Sequence, residues 1–501
     1  MEKRSSSQSH PAALYLLFTS EMWDSDLATT ACALVLYLTK ALAFNKEIAS
    51  HIYGGYVGLV YLTPLIGGFI ADRYWGNRRS ILVGGILMAL GQFSLFTSAL
   101  FRQVEHLSLP FLFLGLGLMI LGNGFFKPNI SSMVGSLYAP DDSRRDSAYT
   151  IFYLGINIGA FLGNLVTSLV GDTGNPDDFK WAFLAVGIAM TLGTVIFYWG
   201  RNKLLVSWEN KPVGITPTGL ALGDVKKIYY WLPILLVISL AIMYVDAFVY
   251  NIVFPILVVS GIVIVVIVFM DKSLTPEDRQ KVATIFVISF FVIFFWATFE
   301  QAPASLTFFA DEQTDRQLFG WTVPPSLFQN LNALFIIIFS LPMAAFWGML
   351  NRYKIEPSSP IKMSWGLILV ALGYVVILFA VKDLQPNVKV SMFYLVGLYF
   401  LHTIGELCLS PIGLSLVNKL SPPKFISLMM AVWFLAPAIA NKAAGMISAF
   451  YPQPGKSTFF LGFPITNLYE FFLINVFLSG VAGLLLLLIA QKIAFVTEKQ
   501  K

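Results

Sequence analysis

Three ionisable residues sit inside apolar runs, where a charge is costly. Lys127 ends the run Phe111 to Phe126, within Gly122-Asn123-Gly124-Phe125-Phe126-Lys127-Pro128-Asn129. Glu300 lies in Phe294-Phe295-Trp296-Ala297-Thr298-Phe299-Glu300-Gln301, and Glu406 in His402-Thr403-Ile404-Gly405-Glu406-Leu407-Cys408. An ionised side chain at membrane depth costs about 2.5–3.5 kcal/mol by insertion scales. Such a residue is kept where it faces a partner or a water-filled cavity. Glu300 and Glu406 are therefore possible partners for Lys127. A carboxyl in such a place can also exchange a proton. Desolvation favours its neutral form, and an arriving cation favours its charged form.

The elements that must position these residues are membrane helices. The chain has 501 residues, of which 57% are hydrophobic and only 12% charged. Apolar stretches of about 18 or more residues recur along it, each long enough to cross a bilayer. A soluble core could not use so many. The fold class is therefore an all-α polytopic membrane protein. About fourteen spans are expected, at roughly 14–43, 51–71, 80–100, 109–138, 147–170, 180–199, 228–246, 249–270, 281–310, 327–350, 361–381, 389–420, 424–450 and 468–491. Met1 to His10 is polar and shows no cleavable signal, so the first spans would direct insertion. Cys32 and Cys408 match no redox or metal spacing. No metal site and no cofactor are expected. No metalloprotease His pattern, nucleophile elbow or paired catalytic Asp motif appears, so an intramembrane enzyme is not expected.

Basic residues segregate between alternate loops. Arg73, Arg78, Arg79, Arg144, Arg145, Arg201, Lys203, Lys226, Lys227, Lys272, Arg279, Arg352 and Lys354 all fall on one side. By the positive-inside rule that side is cytoplasmic, and an even span count puts both termini there. The net charge of +5 reflects this asymmetry and implies no nucleic acid. The polar linker Gly200 to Lys227 divides the chain. Residues 1–200 are expected to form an N-terminal six-helix bundle. Residues 201–280 hold the cytoplasmic linker and an inserted transmembrane hairpin. Residues 281–501 form a C-terminal six-helix bundle. The hairpin at 228–270 is nearly free of charge and is expected to pack beside the core without a substrate role. Six plus six is the repeat-built plan of many secondary transporters, whose substrate sites lie at mid-depth between the halves. Intraspan glycines such as Gly54, Gly55, Gly58, Gly67, Gly68, Gly84 and Gly85 read as close helix packing. His402 reads as a packing residue. Lys442 has no evident carboxylate partner in the sequence.

Two sets of motifs carry a resemblance. Gly68-Phe69-Ile70-Ala71-Asp72-Arg73-Tyr74-Trp75-Gly76-Asn77-Arg78-Arg79 resembles the loop signature of the major facilitator superfamily. In it Asp72 can cap a helix terminus, while Arg73, Arg78 and Arg79 face lipid phosphates and helix C-termini. A faint counterpart, Gly348-Met349-Leu350-Asn351-Arg352, follows a later span. Asp141 to Phe161 and Gly122 to Asn129 resemble the signatures of the proton-dependent oligopeptide transporters, bacterial type with an inserted hairpin. So do Phe328-Gln329-Asn330-Leu331-Asn332-Ala333-Leu334-Phe335, Gly405 to Ser415, and Ala431-Val432-Trp433-Phe434-Leu435. The resemblance covers nearly the whole chain.

The resemblance implies the major-facilitator fold and proton-coupled symport of di- and tripeptides by alternating access across the cytoplasmic membrane. Protons would be the coupling ion, and a peptide and the lipid bilayer the partners of a monomer. A short peptide is a zwitterion, so its site needs a cation and an anion. Lys127 can take the carboxylate and Glu406 the ammonium. Asn157 and Asn332 can bind backbone amides. Tyr61, Trp296, Phe299 and Trp433 can wall an apolar pocket that tolerates varied side chains. By resemblance Glu21, Glu300 and Lys127 are the proton-coupling positions.

The first span departs from the family. The family pattern there is Glu-x-x-Glu-Arg, then Phe, a variable residue, Tyr-Tyr-Gly and Met-Arg-Ala. This chain has Glu21-Met22-Trp23-Asp24-Ser25-Asp26-Leu27-Ala28-Thr29-Thr30-Ala31-Cys32-Ala33. Two carboxylates then enter a membrane helix with no basic partner nearby, which is physically poor. A shifted reading frame accounts for it. Encode Arg-Phe-Ser-Tyr-Tyr-Gly-Met-Arg-Ala as CGA-TTT-AGC-TAC-TAC-GGC-ATG-CGC-GCG and drop the first base. The product is Asp-Leu-Ala-Thr-Thr-Ala-Cys-Ala, the run Asp26 to Ala33. The resemblance implies that Glu300 pairs with a first-helix arginine. Compensating indels in the record alone would leave that motif intact in the real protein, whereas a real lesion in the gene would leave Glu300 without it. Two alternatives stay open. One is a carrier of another small metabolite or anion. The other is a coupling-defective or non-transporting paralogue.

Overall fold

Long apolar runs cannot leave backbone N–H and C=O groups unpaired in lipid, so they close their hydrogen bonds within helices. The computed structural model describes residues 10–24, 33–139, 144–207, 209–215, 222–382, 384, 388–422, 426–453 and 458–498. Twelve helices among the described residues are long and apolar enough to cross a membrane. The altered first-span run from Ser25 to Cys32 lies outside the described residues, as do the side chains of Arg144 and Arg145.

One compact unit comprises Met1–Thr30, Leu62–Gly171 and Asp177–Ala241. Its helices are α1 (Ala12–Asp24), α3 (Pro64–Ile70), α4 (Asn77–Leu100), α5 (Glu105–Ser136), α6 (Arg144–Gly171), α7 (Phe179–Leu204) and most of α8 (Leu222–Phe248). Small residues let α4 and α5 approach closely. A Cβ on Gly84 would stand 2.6 Å from the Gly122 carbonyl, and one on Gly91 2.9 Å from that of Gly115. A Cβ on Gly67 of α3 would overlap the Gly124 carbonyl of α5 at 1.9 Å, so that crossing requires glycine. On α1, Phe18 fills the space over Gly155, Trp23 that over Gly193 and Leu16 that over Gly200. The start of α8 sits on buried Trp75, which lies 5.3 Å from Phe125 and 4.9 Å from Tyr229 between ring centroids. Further along α8, Leu236 and Leu240 fill the space above Gly117 of α5.

The second unit comprises Ala31–Tyr61, Asp172–Pro176 and Ile242–Lys501. It holds α2 (Lys46–Leu62), the end of α8 from Ile242, α9 (Val253–Met270), α10 (Pro276–Phe299), α11 (Ser305–Glu312), α12 (Asn330–Arg352), α13 (Ser359–Val381), α14 (Phe393–Leu420), α15 (Ile426–Ser448) and α16 (Leu468–Glu498). Thr275 caps α10 through a reciprocal capping box with Asp278, which fixes where this helix begins. The α13–α14 crossing again uses glycine: a Cβ on Gly366 would lie 2.7 Å from the Gly405 carbonyl. Tyr374 of α13 donates from its hydroxyl to the Thr298 carbonyl at 2.6 Å, tying α13 to the end of α10. Three short strand pairs lie between the helices among the described residues. Thr314–Asp315 pairs in parallel with Val390–Ser391, Gln317–Leu318 antiparallel with Trp321–Thr322, and Thr458–Phe460 antiparallel with Phe463–Ile465.

Candidate functional site

In the first unit the decisive charge is Lys127, in the last third of α5, one residue before Pro128. Its Nζ lies 2.7 Å from Oε1 of Glu21 on α1. The Glu21 side chain is fully buried, while that of Lys127 is 39% exposed. The cation thus keeps one side open while neutralising an otherwise costly carboxylate. The sequence set Lys127 against Glu300 and Glu406; the structure shows its ion pair with Glu21. Asn157 of α6 is buried, and its Nδ2 donates to the Tyr153 carbonyl of its own helix at 2.9 Å.

The loop motif of this unit takes a specific shape. After Gly68 and α3, residues Ala71–Trp75 form a π-helical turn. Gly76 follows at φ +72°, a left-handed conformation that favours glycine, and α4 starts at Asn77. Asp72 and Arg73 are exposed, and Arg79 is half-buried. Arg78 points at protein carbonyls. Its Nε donates to Val213 O at 2.6 Å and its Nη2 to Leu205 O, while its backbone N–H reaches Gly214 O at 2.9 Å. This arginine clasps the linker that follows α7, with one of its two carbonyls at that helix's C-cap. The sequence did not identify this partner, because a linker carbonyl leaves no mark in composition.

In the second unit, Glu406 sits mid-way along α14. Its Oε2 accepts from Asn332 Nδ2 of α12 at 2.9 Å, and the same amide donates to Thr403 Oγ1 at 3.1 Å. Asn332 is therefore already bound to the carboxylate it was expected to accompany. One turn before Glu406, His402 is buried against Phe299 at 5.8 Å and Tyr374 at 5.0 Å between ring centroids. Glu300 caps the end of α10, half-buried, within the field of the Glu406 carboxylate. Among the described residues no ion pair reaches Glu300. Gln301, next in the chain, is fully buried and its side chain holds three hydrogen bonds: to Ala297 O, to Ala444 O of α15 and from Ser305 Oγ. Trp296 packs edge-on against Phe299 at 5.2 Å. Trp433 of α15 is buried over Gly413, where a Cβ would collide with its ring at 2.1 Å. Tyr61 lies half-buried at the end of α2.

Lys442 was expected to lack a carboxylate partner. It pairs instead with Asp246, and both side chains are completely buried. The signal was present: Asp246 is the sole charged residue between Lys227 and Asp271. Sequence distance concealed the match, since 196 residues separate the two. A further cluster escaped the sequence reading. Lys40 Nζ lies 2.7 Å from Asp311 and 3.9 Å from buried Asp172, which also accepts from the Ser326 hydroxyl at 2.8 Å. Burial raises the Asp172 carboxyl above its ordinary range, and Lys40 and Ser326 oppose the rise.

A family model described as "POT family" matches residues 78–461, most of the chain. The chain belongs to the POT family. Its curated relatives include the peptide transporter YePEPT of Yersinia enterocolitica, 33% identical over 87% of this chain and 87% of that protein. The di-/tripeptide transporter of Lactococcus lactis subsp. cremoris is 30% identical over 96% of both chains. Among solved structures, a mutant peptide transporter POT in complex with alafosfalin has a TM-score of 0.84 at 32% identity. That match covers 99% of this chain and 97% of the other. As a POT-family member the chain has a major-facilitator-type fold and is a multi-span membrane transporter, not an enzyme.

Proposed function

We propose that this POT-family chain carries di- and tripeptides across the cytoplasmic membrane by proton-coupled symport, working by alternating access with both termini inside. The single observation that supports this reading best is the division of charge. The first unit offers a half-exposed ammonium, Lys127, on a buried carboxylate, Glu21. The second offers a carboxylate, Glu406, steadied by Asn332 and Thr403. These are the two charges a zwitterionic peptide needs. Lys127 takes the peptide carboxylate and Glu406 its ammonium. Asn157 and Asn332 serve the peptide amides. Tyr61, Trp296 and Trp433 offer apolar surface that reads no particular side chain. The names of the relatives support the same substrate class.

Proton coupling falls to Glu21, Glu300 and Lys127. A peptide carboxylate arriving at Lys127 competes with Glu21, whose carboxylate then gains by taking a proton, because a buried unpaired charge is expensive. Peptide and proton are thereby linked at one lysine. Glu300 is the second carboxyl, and protonation relieves its repulsion with Glu406.

Uptake of labelled dipeptide into proteoliposomes, with and without an inward proton gradient, tests the reading. Accumulation above equilibrium only with the gradient is expected; no peptide flux in either direction would sink it. One observation favours a coupling-defective variant of the same carrier. No ion pair reaches Glu300 among the described residues, and the sequence has no arginine in its first span. That variant would exchange peptide for peptide but concentrate it weakly.

A further inference from the structure

The turn of the inserted hairpin meets α15 at a buried ion pair. Lys442 and Asp246 form an ion pair with 0% side-chain exposure on both partners. Lys442 also donates to Asn251 Oδ1 at 3.1 Å. The other Asp246 oxygen accepts the backbone N–H of Val253 at 2.8 Å, at the start of α9. One carboxylate thus closes the α8–α9 turn and neutralises a lysine of α15. Glycines of α2 make the room. A Cβ on Gly55 would stand 2.7 Å from Asp246 Oδ2, and one on Gly58 3.3 Å from Lys442 Cβ.

The same stretch of α15 reaches the coupling segment. Two residues after Lys442, the Ala444 carbonyl accepts from Gln301 Nε2 at 3.1 Å. Gln301 directly follows Glu300 and is held at its other end by Ser305. One residue further on, Gly445 meets Gly54, where an added Cβ would lie 2.6 Å from Gly54 Cα. Lys442 to Gly445 is therefore a node joining the hairpin, α2 and the turn that carries Glu300.

A fully desolvated ion pair is a poor way to gain stability, since apolar side chains of the same size do as well or better. What it adds is register: two charges that can be satisfied in one alignment only. Complete burial also keeps water and protons from the pair in this conformation, which argues against a proton relay. We propose that Lys442 and Asp246 are positioning residues, which lock α15 to the hairpin and through Gln301 hold Glu300 in its working geometry. The hairpin is then a part of the coupling apparatus. This rests on the reading of Glu300 as a coupling carboxyl.

The test uses the full-length protein carrying K442M, D246N or both. Each single variant strands a charge and lowers the melting temperature; the double variant recovers most of it. In the double variant, proton-driven uptake falls about tenfold relative to peptide counterflow, a size of coupling that packed networks carry. The rate of carbodiimide labelling at Glu300, with Glu300→Gln as the blank, changes several-fold. That labelling reads Glu300 without any transport, so it decides the proposal even if peptide is not the substrate. Gln301→Leu cuts the link from α15 without stranding a charge and gives the same change in labelling. A double variant or a Gln301→Leu protein that melts like the wild type and labels at the wild-type rate overturns the proposal. So does an equal loss of uptake and counterflow.

Discussion

Lys127 Nζ stands 2.7 Å from Oε1 of Glu21, a carboxylate with no exposed surface on a helix more than one hundred residues earlier in the chain. The pair places the candidate ligand cation and a candidate proton carrier in direct contact. Whatever binds Lys127 must therefore change the free energy of Glu21.

Separating the two partners should separate their roles. Lys127→Ala strands the buried Glu21 carboxylate and costs about 3 kcal/mol, the low end for breaking a buried pair, because Lys127 is partly exposed. Both uptake and counterflow should fall at least about tenfold. Glu21→Gln keeps the lysine and should retain counterflow while losing accumulation. Paired uptake and counterflow assays on both proteins check this.

Among the described residues, Asn332 is the one side chain that donates a hydrogen bond to the Glu406 carboxylate. Asn332→Leu removes that donor and should cost about 1–3 kcal/mol of local stability. The peptide KM should rise with little change in the maximal rate, since the carboxylate loses its orientation. Uptake measured against peptide concentration distinguishes this from a fall in maximal rate.

Asp172 makes stability depend on pH in a definite direction. Its folded-state carboxyl binds a proton more readily than in the unfolded chain, chiefly through burial. The folded state therefore holds the extra proton, and stability drops as pH rises through the raised value, from about pH 4 upward. Melting temperatures across that range should show the drop. Asp172→Asn keeps a Ser326 acceptor and should flatten it.

Arg78 holds the linker after α7 by two side-chain donations to carbonyls. Arg78→Ala removes a donor from each carbonyl and leaves Leu205 O with the Val213 N–H alone, costing about 1–3 kcal/mol where they are shielded from water. The segment from Val206 to Gly214 should then be cut several-fold faster in limited proteolysis, with the helices intact.

The first-span anomaly has a direct experiment. Replacing Asp26–Ala33 by Arg-Phe-Ser-Tyr-Tyr-Gly-Met-Arg-Ala should raise proton-driven accumulation at least about tenfold over the literal chain, the scale of one restored charge-assisted contact. Resequencing the gene is the companion measurement. A confirmed frame with no displaced family codons beneath it would remove the frameshift explanation, and strong uphill uptake by the literal chain would remove the expectation of weak coupling.

Particular residues show how much was legible beforehand. Lys127, Glu300 and Glu406 announce themselves because a charge inside an apolar run has few physical excuses. Gly54, Gly55 and Gly58 were read as close packing, which they provide, but their neighbours were not legible. They clear space for Asp246, Lys442 and Gly445. Lys442 and Asp246 were each visible as solitary charges and were not matched, since neither spacing nor composition joins residues 196 positions apart.

By itself the sequence determined the class of protein. Apolar runs of spanning length must become helices in lipid, because no water is there to satisfy the backbone. Its motifs carried the family and singled out the intramembrane charges. Which charge neutralises which was decided only by the tertiary structure. Lys127 joins Glu21, Asn332 turns to Glu406, and Lys442 closes on Asp246. The reason is physical. Local pattern sets secondary structure through backbone hydrogen bonding. An ion pair depends on distance, burial and the approach of helices that only packing brings together.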